Sequence, residues 1–402
     1  MIEEVAIRSI LDSRGNPTVE VDVFTGSGFG SAAAPSGVST GKFEVVAFPE
    51  EGVNHAVQNF KRTVVPRLLG LDTTEQEEID VLLCELDGTD NFSNLGGNVA
   101  CATSMAVAKA ASQTLGIPLY HYLGGIFANM TPYPLGNVIG GGRHAVGGTD
   151  IQEFLALSMG PTAKESIYAN VAVHSAVRRR LVERFPDRAI GKGDECAWVA
   201  ALENVDAMQM VTEACADVSD SLGFPVLPAL DIAASELYQD GRYFYKNSAL
   251  NQEGQIDFVT DLIDKYGLYL VEDPLNQEDY EGYAELTRAV GDRCIIMGDD
   301  LFVTDSARLE KGIKMGAGNA ILIKPNQVGT LTKTIETIKM AHDHGYKTVV
   351  SHRSGETTDE TIAHIAVAFG CHGIKSGCVG GERTAKLNEL IRIEEELIST
   401  EG

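Results

Sequence analysis

Between residues 226 and 375 the chain repeats one pattern six times: a short apolar run that stops at a polar or charged residue. Residues 226–230 stop at Asp231, 268–271 at Glu272, 294–298 at Asp299 and Ala320–Ile323 at Lys324. Residues 348–350 then stop at Ser351, His352 and Arg353, and Gly373 and Ile374 at Lys375. The stops at 231, 272, 299, 324, 352 and 375 are 41, 27, 25, 28 and 23 residues apart. A strand of about five residues, a helix of about 11–12 and two short loops fill such an interval. Segments with helical periodicity lie in the gaps, at 280–290, 306–314, 330–344 and 358–369. Successive β–α units of this kind predict a parallel sheet closed into a barrel. The C-terminal strand ends of a barrel share one mouth, so the spacing puts Asp231, Glu272, Asp299, Lys324, His352, Arg353 and Lys375 on one ring. An open doubly wound sheet competes, but rarely carries an ionisable group at every strand end.

Ahead of the barrel, residues 1–125 read as a mixed α+β unit. Two Val/Ile/Thr-rich runs, 2–10 and 17–25, flank the turn residues 13–16, a hairpin pattern, with a third strand at 28–34. Helices are expected at 55–69, 75–86 and 100–115, the last rich in alanine. Residues 120–134 hold two prolines and no long period, which sets the domains at 1–125 and 126–402. The Gly-rich stretches 35–41 and 140–148 read as mobile loops.

Lys+Arg 32 against Asp+Glu 57 gives a net charge of −25. Such a chain has no general basic footprint for nucleic acid, and its field repels anionic membranes. An anionic substrate would therefore need local cations. No apolar run approaches the ~20 residues of a membrane span, and the acidic start Met-Ile-Glu-Glu-Val is unlike a secretory signal. Seven cysteines without a C-x-x-C pair read as reduced thiols of a cytoplasmic protein.

Asp231, Glu272 and Asp299, on consecutive strand ends, make a hard oxygen cage suited to Mg²⁺ with positions left for substrate. Taken singly, each acid could instead cap a helix or pair with a cation. Lys324, at the mouth of an apolar strand beside such a metal, should be pushed towards the neutral amine and could then take a proton. The alternative is an ion pair with one of the acids, which would keep it charged. Arg353 and Ser354 set a guanidinium fork beside a hydroxyl, suited to phosphate or carboxylate oxygens. Three lookalikes fail. Residues 37–43 are one residue short of a phosphate-binding Walker loop and end in Phe43, residues 26–31 lack a third dinucleotide-loop glycine, and no His-Glu-x-x-His occurs.

Eight stretches, in order, resemble the enolase family. They are 11–20 (Leu-Asp-Ser-Arg-Gly-Asn-Pro-Thr-Val-Glu), 35–41 (Pro-Ser-Gly-Val-Ser-Thr-Gly), 150–154 (Asp-Ile-Gln-Glu-Phe), 229–231 (Ala-Leu-Asp), 271–274 (Val-Glu-Asp-Pro), 298–301 (Gly-Asp-Asp-Leu), 324–331 (Lys-Pro-Asn-Gln-Val-Gly-Thr-Leu) and 351–357 (Ser-His-Arg-Ser-Gly-Glu-Thr). The resemblance implies an α+β capping domain on a variant (β/α)8 TIM barrel whose first strands are not strictly parallel. It also implies Mg²⁺-dependent, reversible dehydration of 2-phosphoglycerate to phosphoenolpyruvate, with two ions per site. Carried over by motif, Asp231, Glu272 and Asp299 would bind the first Mg²⁺ and Ser39 would help bind the second. Lys324 would accept the C2 proton and Glu195 would donate one to the leaving hydroxyl. His144, Glu153, His352, Arg353, Ser354 and Lys375 would bind substrate. A homodimer, or an octamer built from dimers, is implied, as is a cytoplasmic location with a secondary cell-surface or secreted pool.

The match loosens at four places. Cys196 follows Glu195 where the family usually has glycine, and Gly140-Gly141-Gly142 replaces Asn-Gly-Gly. Lys42 adds a cation, and Gly380-Gly381 precedes Glu382-Arg383 where Arg-Ser is usual. Cys196 also reads as a candidate redox-sensitive thiol. Two rival readings are an acid-sugar dehydratase and a non-catalytic receptor on the same fold. The first lacks its Lys-x-Lys motif in 126–402, and the acid trio with Lys324 argues against the second.

Overall fold

The computed structural model describes residues 1–37, 41–145 and 147–400. Its first unit is an antiparallel sheet of Ile2–Leu11, Pro17–Thr25 and Phe29–Ala33, followed by helices. Val19, Val21 and Val23 are fully buried on one face, as period-2 alternation requires. The helix Gly97–Leu115 packs there, and its small side chains permit very close approach. A Cβ at Gly30 would lie 2.0 Å from the Ala106 carbonyl oxygen, so only glycine fits that contact. The helix ends at Gly116, which takes the left-handed conformation at φ 68°. The expected helix 55–69 is divided into Val53–Thr63 and Val65–Leu68, with Pro66, which has no N–H, in the first turn of the second piece.

The second unit is a closed barrel of eight strands: Tyr133–Gly140, Glu153–Ser158, Val226–Asp231, Leu270–Glu272, Ile295–Gly298, Ala320–Ile323, Lys347–Ser351 and Gly373–Lys375. The last pairs in parallel with the first, closing the ring. Glu153–Ser158 runs antiparallel to both neighbours, and the other neighbouring pairs are parallel. The rhythm of β–α units missed the first two strands because no helix lies between them. Gly140, read as part of a mobile loop, is the last residue of its strand. The long 41-residue step after Asp231 is explained by a small sheet of Tyr238–Gln239, Arg242–Tyr245 and Ser248–Leu250 inserted before the helix Gln252–Tyr266.

Leu155, Leu157, Ala229, Leu270, Ile295, Met297, Ala320, Leu322 and Val349 are packed together inside the barrel. Strand side chains repeat every second residue. The next inward position above this layer is therefore Asp231, Glu272, Asp299, Lys324 or Ser351 on the parallel strands, and Glu153 below Leu155 on the reversed one. The first unit sits over this end of the barrel. Ser36 bridges Gly355, Asn326 Nδ2 donates to Asn98 Oδ1 at 3.1 Å, and Lys109 pairs with Asp359 and Glu360. No helix among the described residues is long and apolar enough to cross a membrane.

Candidate active site

Eleven of the side chains singled out in the sequence line one pocket: His144, Glu153, Glu195, Asp231, Glu272, Asp299, Lys324, His352, Arg353, Ser354 and Lys375. Ser39 lies outside the described residues. Register explains the convergence. Asp231 stands opposite both Glu272 and Glu153 on neighbouring strands, and Lys375 closes its strand on the same rim. Glu153 reaches the mouth from the start of its strand because that strand is reversed. His144 ends a short 3₁₀ turn, Gly142–His144.

The Lys375 ammonium lies 2.7 Å from Glu272 Oε2 and 3.2 Å from both Asp231 Oδ2 and Glu153 Oε2. Burial favours its neutral form, but Glu153, Glu272 and Asp231 outweigh burial and hold it charged well above its ordinary range. Glu272 and Glu153 are in turn raised well above the usual carboxylate range, first by burial and then by neighbouring acids.

Lys324 pairs with Asp299. Burial, Arg353 and Lys375 act to neutralise it, yet Asp299 and Glu272 keep its pKa above the ordinary value. The ion pair that the sequence left as the alternative is the arrangement among the described residues. Asp299 also accepts from Gln327 Nε2 at 3.0 Å. Its ligand oxygen lies within 4.8 Å of those of Asp273 and Asp300.

Glu195 accepts from Asn137 Nδ2 at 3.1 Å and stands 3.4 Å from His352 Nε2 and 3.8 Å from His144 Nδ1. Burial would raise its pKa, but His352 and His144 outweigh burial and leave it well below the usual range. Of this carboxyl pair, Glu153 is therefore the better proton store and Glu195 the ionised member. Arg353 donates to both Glu44 oxygens, at 3.0 and 2.9 Å, and to Asn326 Oδ1 at 2.9 Å. The fork read as a phosphate binder thus holds a carboxylate from the first unit.

The backbone around the mouth is strained. Cys196, Ala233, Asp273, Val303 and Thr304 all have left-handed φ, between 41° and 60°. The Cys196 thiol is half-buried, and burial and Glu382 raise its pKa, the opposite of a reactive thiolate. Sequence reasoning missed Glu44, Gln152, Asp273, Gln327 and Arg383. Gln152, Asp273 and Gln327 lay inside quoted motifs and Arg383 beside a departure from the family pattern, whereas no local signal marked Glu44.

Comparison with known proteins now decides the family. Residues 2–123 match the model described as "Enolase, N-terminal domain", and residues 128–401 match "Enolase, C-terminal TIM barrel domain". The chain is 53% identical to the enolase of Methanothermobacter thermautotrophicus over 403 residues, covering 99% of this chain and 97% of that one. It is 53% identical to the enolase of Methanocorpusculum labreanum over 98% and 99% of the two chains, and 49% identical to that of Picrophilus torridus over 99% of each. The chain belongs to the enolase family. It is an enzyme of the lyase class with an enolase function, and enolases are metal-dependent. The donor chemistry here fits a hard divalent cation. Five carboxylates line the cavity, against the cations Lys324, Arg353 and Lys375. Glu153 and Glu272 are raised by burial first and then by the neighbouring acids Glu195 and Asp231, so a bound cation would offset part of the shift.

Proposed function

We propose that this enolase interconverts 2-phosphoglycerate and phosphoenolpyruvate with two Mg²⁺ ions, in cytoplasmic glycolysis and gluconeogenesis, as a homodimer or an octamer of dimers. The observation that supports the residue assignment is the convergence of eleven sequence-selected groups on one cavity. Asp231, Glu272 and Asp299 would hold one ion, and Ser39 would help hold the second beside the substrate phosphate. When bound, magnesium supplies positive charge for the second negative charge that develops on the substrate carboxylate as C2 loses its proton.

Lys324 takes that proton on Nζ after its ammonium has given its own proton to solvent, which loss of the ion pair to Asp299 favours. The C2–H electron pair is first held on the carboxylate as an enediolate, and returns to form the C2–C3 double bond as the C3–O bond breaks. Glu153 passes a proton to Glu195 through the His144 cluster, and Glu195 then delivers it to the departing hydroxyl, which leaves as water. Lys375 holds the substrate carboxylate, and Arg353 and Ser354 hold the phosphate once Glu44 is displaced. Burial of these groups strengthens every charge contact made in the transition state.

The test is the growth of phosphoenolpyruvate ultraviolet absorbance when purified protein meets 2-phosphoglycerate and Mg²⁺. A chelator should abolish it and added Mg²⁺ restore it. Lys324→Ala should lower kcat by about 10²–10⁴-fold, the usual worth of a general base. No product from the unmodified protein would end this reading.

A further inference from the structure

Arg383, in the first turn of the helix Gly381–Thr400, is completely buried 8 residues beyond Lys375. Its guanidinium makes four contacts with two segments of the site. Nη1 donates to His352 Nδ1 at 2.9 Å and to the Arg353 carbonyl at 2.5 Å. Nη2 donates to the Ser354 carbonyl at 2.8 Å and to the Asp194 carbonyl at 3.3 Å. The fork therefore joins the turn that carries Glu195 to the loop that carries His352, Arg353 and Ser354.

A guanidinium has only donors and does not deprotonate in proteins. The 2.9 Å contact thus requires a lone pair on His352 Nδ1. A neutral imidazole with its lone pair there carries its hydrogen on Nε2. That Nε2 is buried, has no hydrogen-bond partner among the described residues, and faces Glu195 Oε1 at 3.4 Å. The other tautomer would set a lone pair against the carboxylate. Burial and Arg383 also oppose a charged ring, putting His352 at about 4.

We infer that Arg383 is a positioning residue: it fixes His352 as the Nε2–H tautomer, and so fixes a donor against the Glu195 carboxylate at the place where the C3 hydroxyl is to leave. The consequence for catalysis rests on the proposed dehydration, whereas the tautomer does not. Arg383 is not among the residues that line the cavity. A lysine in its place has no planar fork and cannot span the same acceptors.

The first experiment needs no variant of Arg383. Nitrogen-15 NMR of the full-length protein labelled at histidine, with the His352 signals assigned by their loss in His352→Gln, should show Nδ1 unprotonated and Nε2 protonated near neutral pH. A proton on Nδ1 would overturn the inference, whether or not the protein turns over 2-phosphoglycerate. The second compares Arg383→Lys and Arg383→Ala. Each should mix the His352 tautomers and lower kcat by about 10–100-fold, the common effect of losing an orienting partner. KM for 2-phosphoglycerate should stay within a few-fold, and free guanidinium ion should return part of the Arg383→Ala rate. Unchanged kcat with an unchanged His352 spectrum would overturn it too. Should the variants fail to fold, the spectrum of the unmodified protein decides. An unmodified protein inactive on 2-phosphoglycerate but carrying the Nε2–H ring would sink the proposed reaction and leave the Arg383 assignment standing.

Discussion

Lys375→Met keeps most of the side-chain length and deletes an ammonium that three buried carboxylates share at 2.7, 3.2 and 3.2 Å. Breaking a buried ion pair by removing one partner costs about 3–5 kcal/mol. At about 2.1 cal/mol/K per residue, the 402 residues unfold with an entropy of about 0.8 kcal/mol/K. The same loss therefore lowers Tm by about 4–6 °C. The deficit is one of unbalanced negative charge, so two treatments should reduce it. Mg²⁺ should raise the melting temperature of Lys375→Met by more than that of the unmodified protein. The double variant Lys375→Met/Glu272→Gln, with one carboxylate neutralised, should melt above the single variant. Calorimetry of all three proteins, with chelator and with saturating Mg²⁺, measures each difference. A Lys375→Met melting point within about 1 °C of the unmodified protein in chelator, corresponding to under about 1 kcal/mol, would refute the reasoning. So would a double variant that melts below the single one.

Three further outcomes follow from the geometry. Glu44→Gln removes the carboxylate that substrate phosphate must displace from Arg353, so KM for 2-phosphoglycerate should fall by about five-fold, from about 1 kcal/mol of net hydrogen bonding; steady-state kinetics showing a higher KM would contradict this. Cys196→Gly relieves a left-handed residue at φ 60° and should stabilise the protein by about 1 kcal/mol. Because the thiol is raised and half-buried, mild peroxide should leave activity unchanged, and inactivation prevented by Cys196→Gly would show the opposite. His372 is held at about 4, first by burial and then by Lys347. Its folded pKa is depressed, so its contribution is present above pH 6.5 and is lost as pH falls towards 4, where only the unfolded chain takes the proton. His372→Phe should therefore lose less stability than the unmodified protein across that window, by about 2 kcal/mol after allowing for solvent screening; parallel denaturation curves against pH would contradict this.

Six barrel strands were legible because each couples a buried run to an ionisable stop, a pattern that survives without knowledge of partners. Tyr133–Gly140 and Glu153–Ser158 were not, since they join without a helix and the second reverses direction. The ring of charges was likewise readable from spacing, but its pairing was not. That Lys324 would take Asp299, and Lys375 would take Asp231, Glu272 and Glu153, depends on how strands from distant parts of the chain close on one another. Glu44 meets Arg353 across 309 residues and Arg383 meets His352 across 31, and only the Arg353 and His352 ends were marked in the sequence. Local pattern thus marks the wall positions that bear functional groups, while contacts between distant parts of the chain set what each group can do.

Reversal of the second barrel strand makes the segment 141–152 a ruler as well as a connection. The parallel strands meet the cavity with their final residues, after the rest of each strand has been paired. Here the first residue, Glu153, is the one delivered. Slipping this strand by a single position would exchange its faces, carry the carboxylate into the surrounding helices and aim the Phe154 ring at the charged centre. Chain length before Glu153 is consequently under the same constraint as the acid itself.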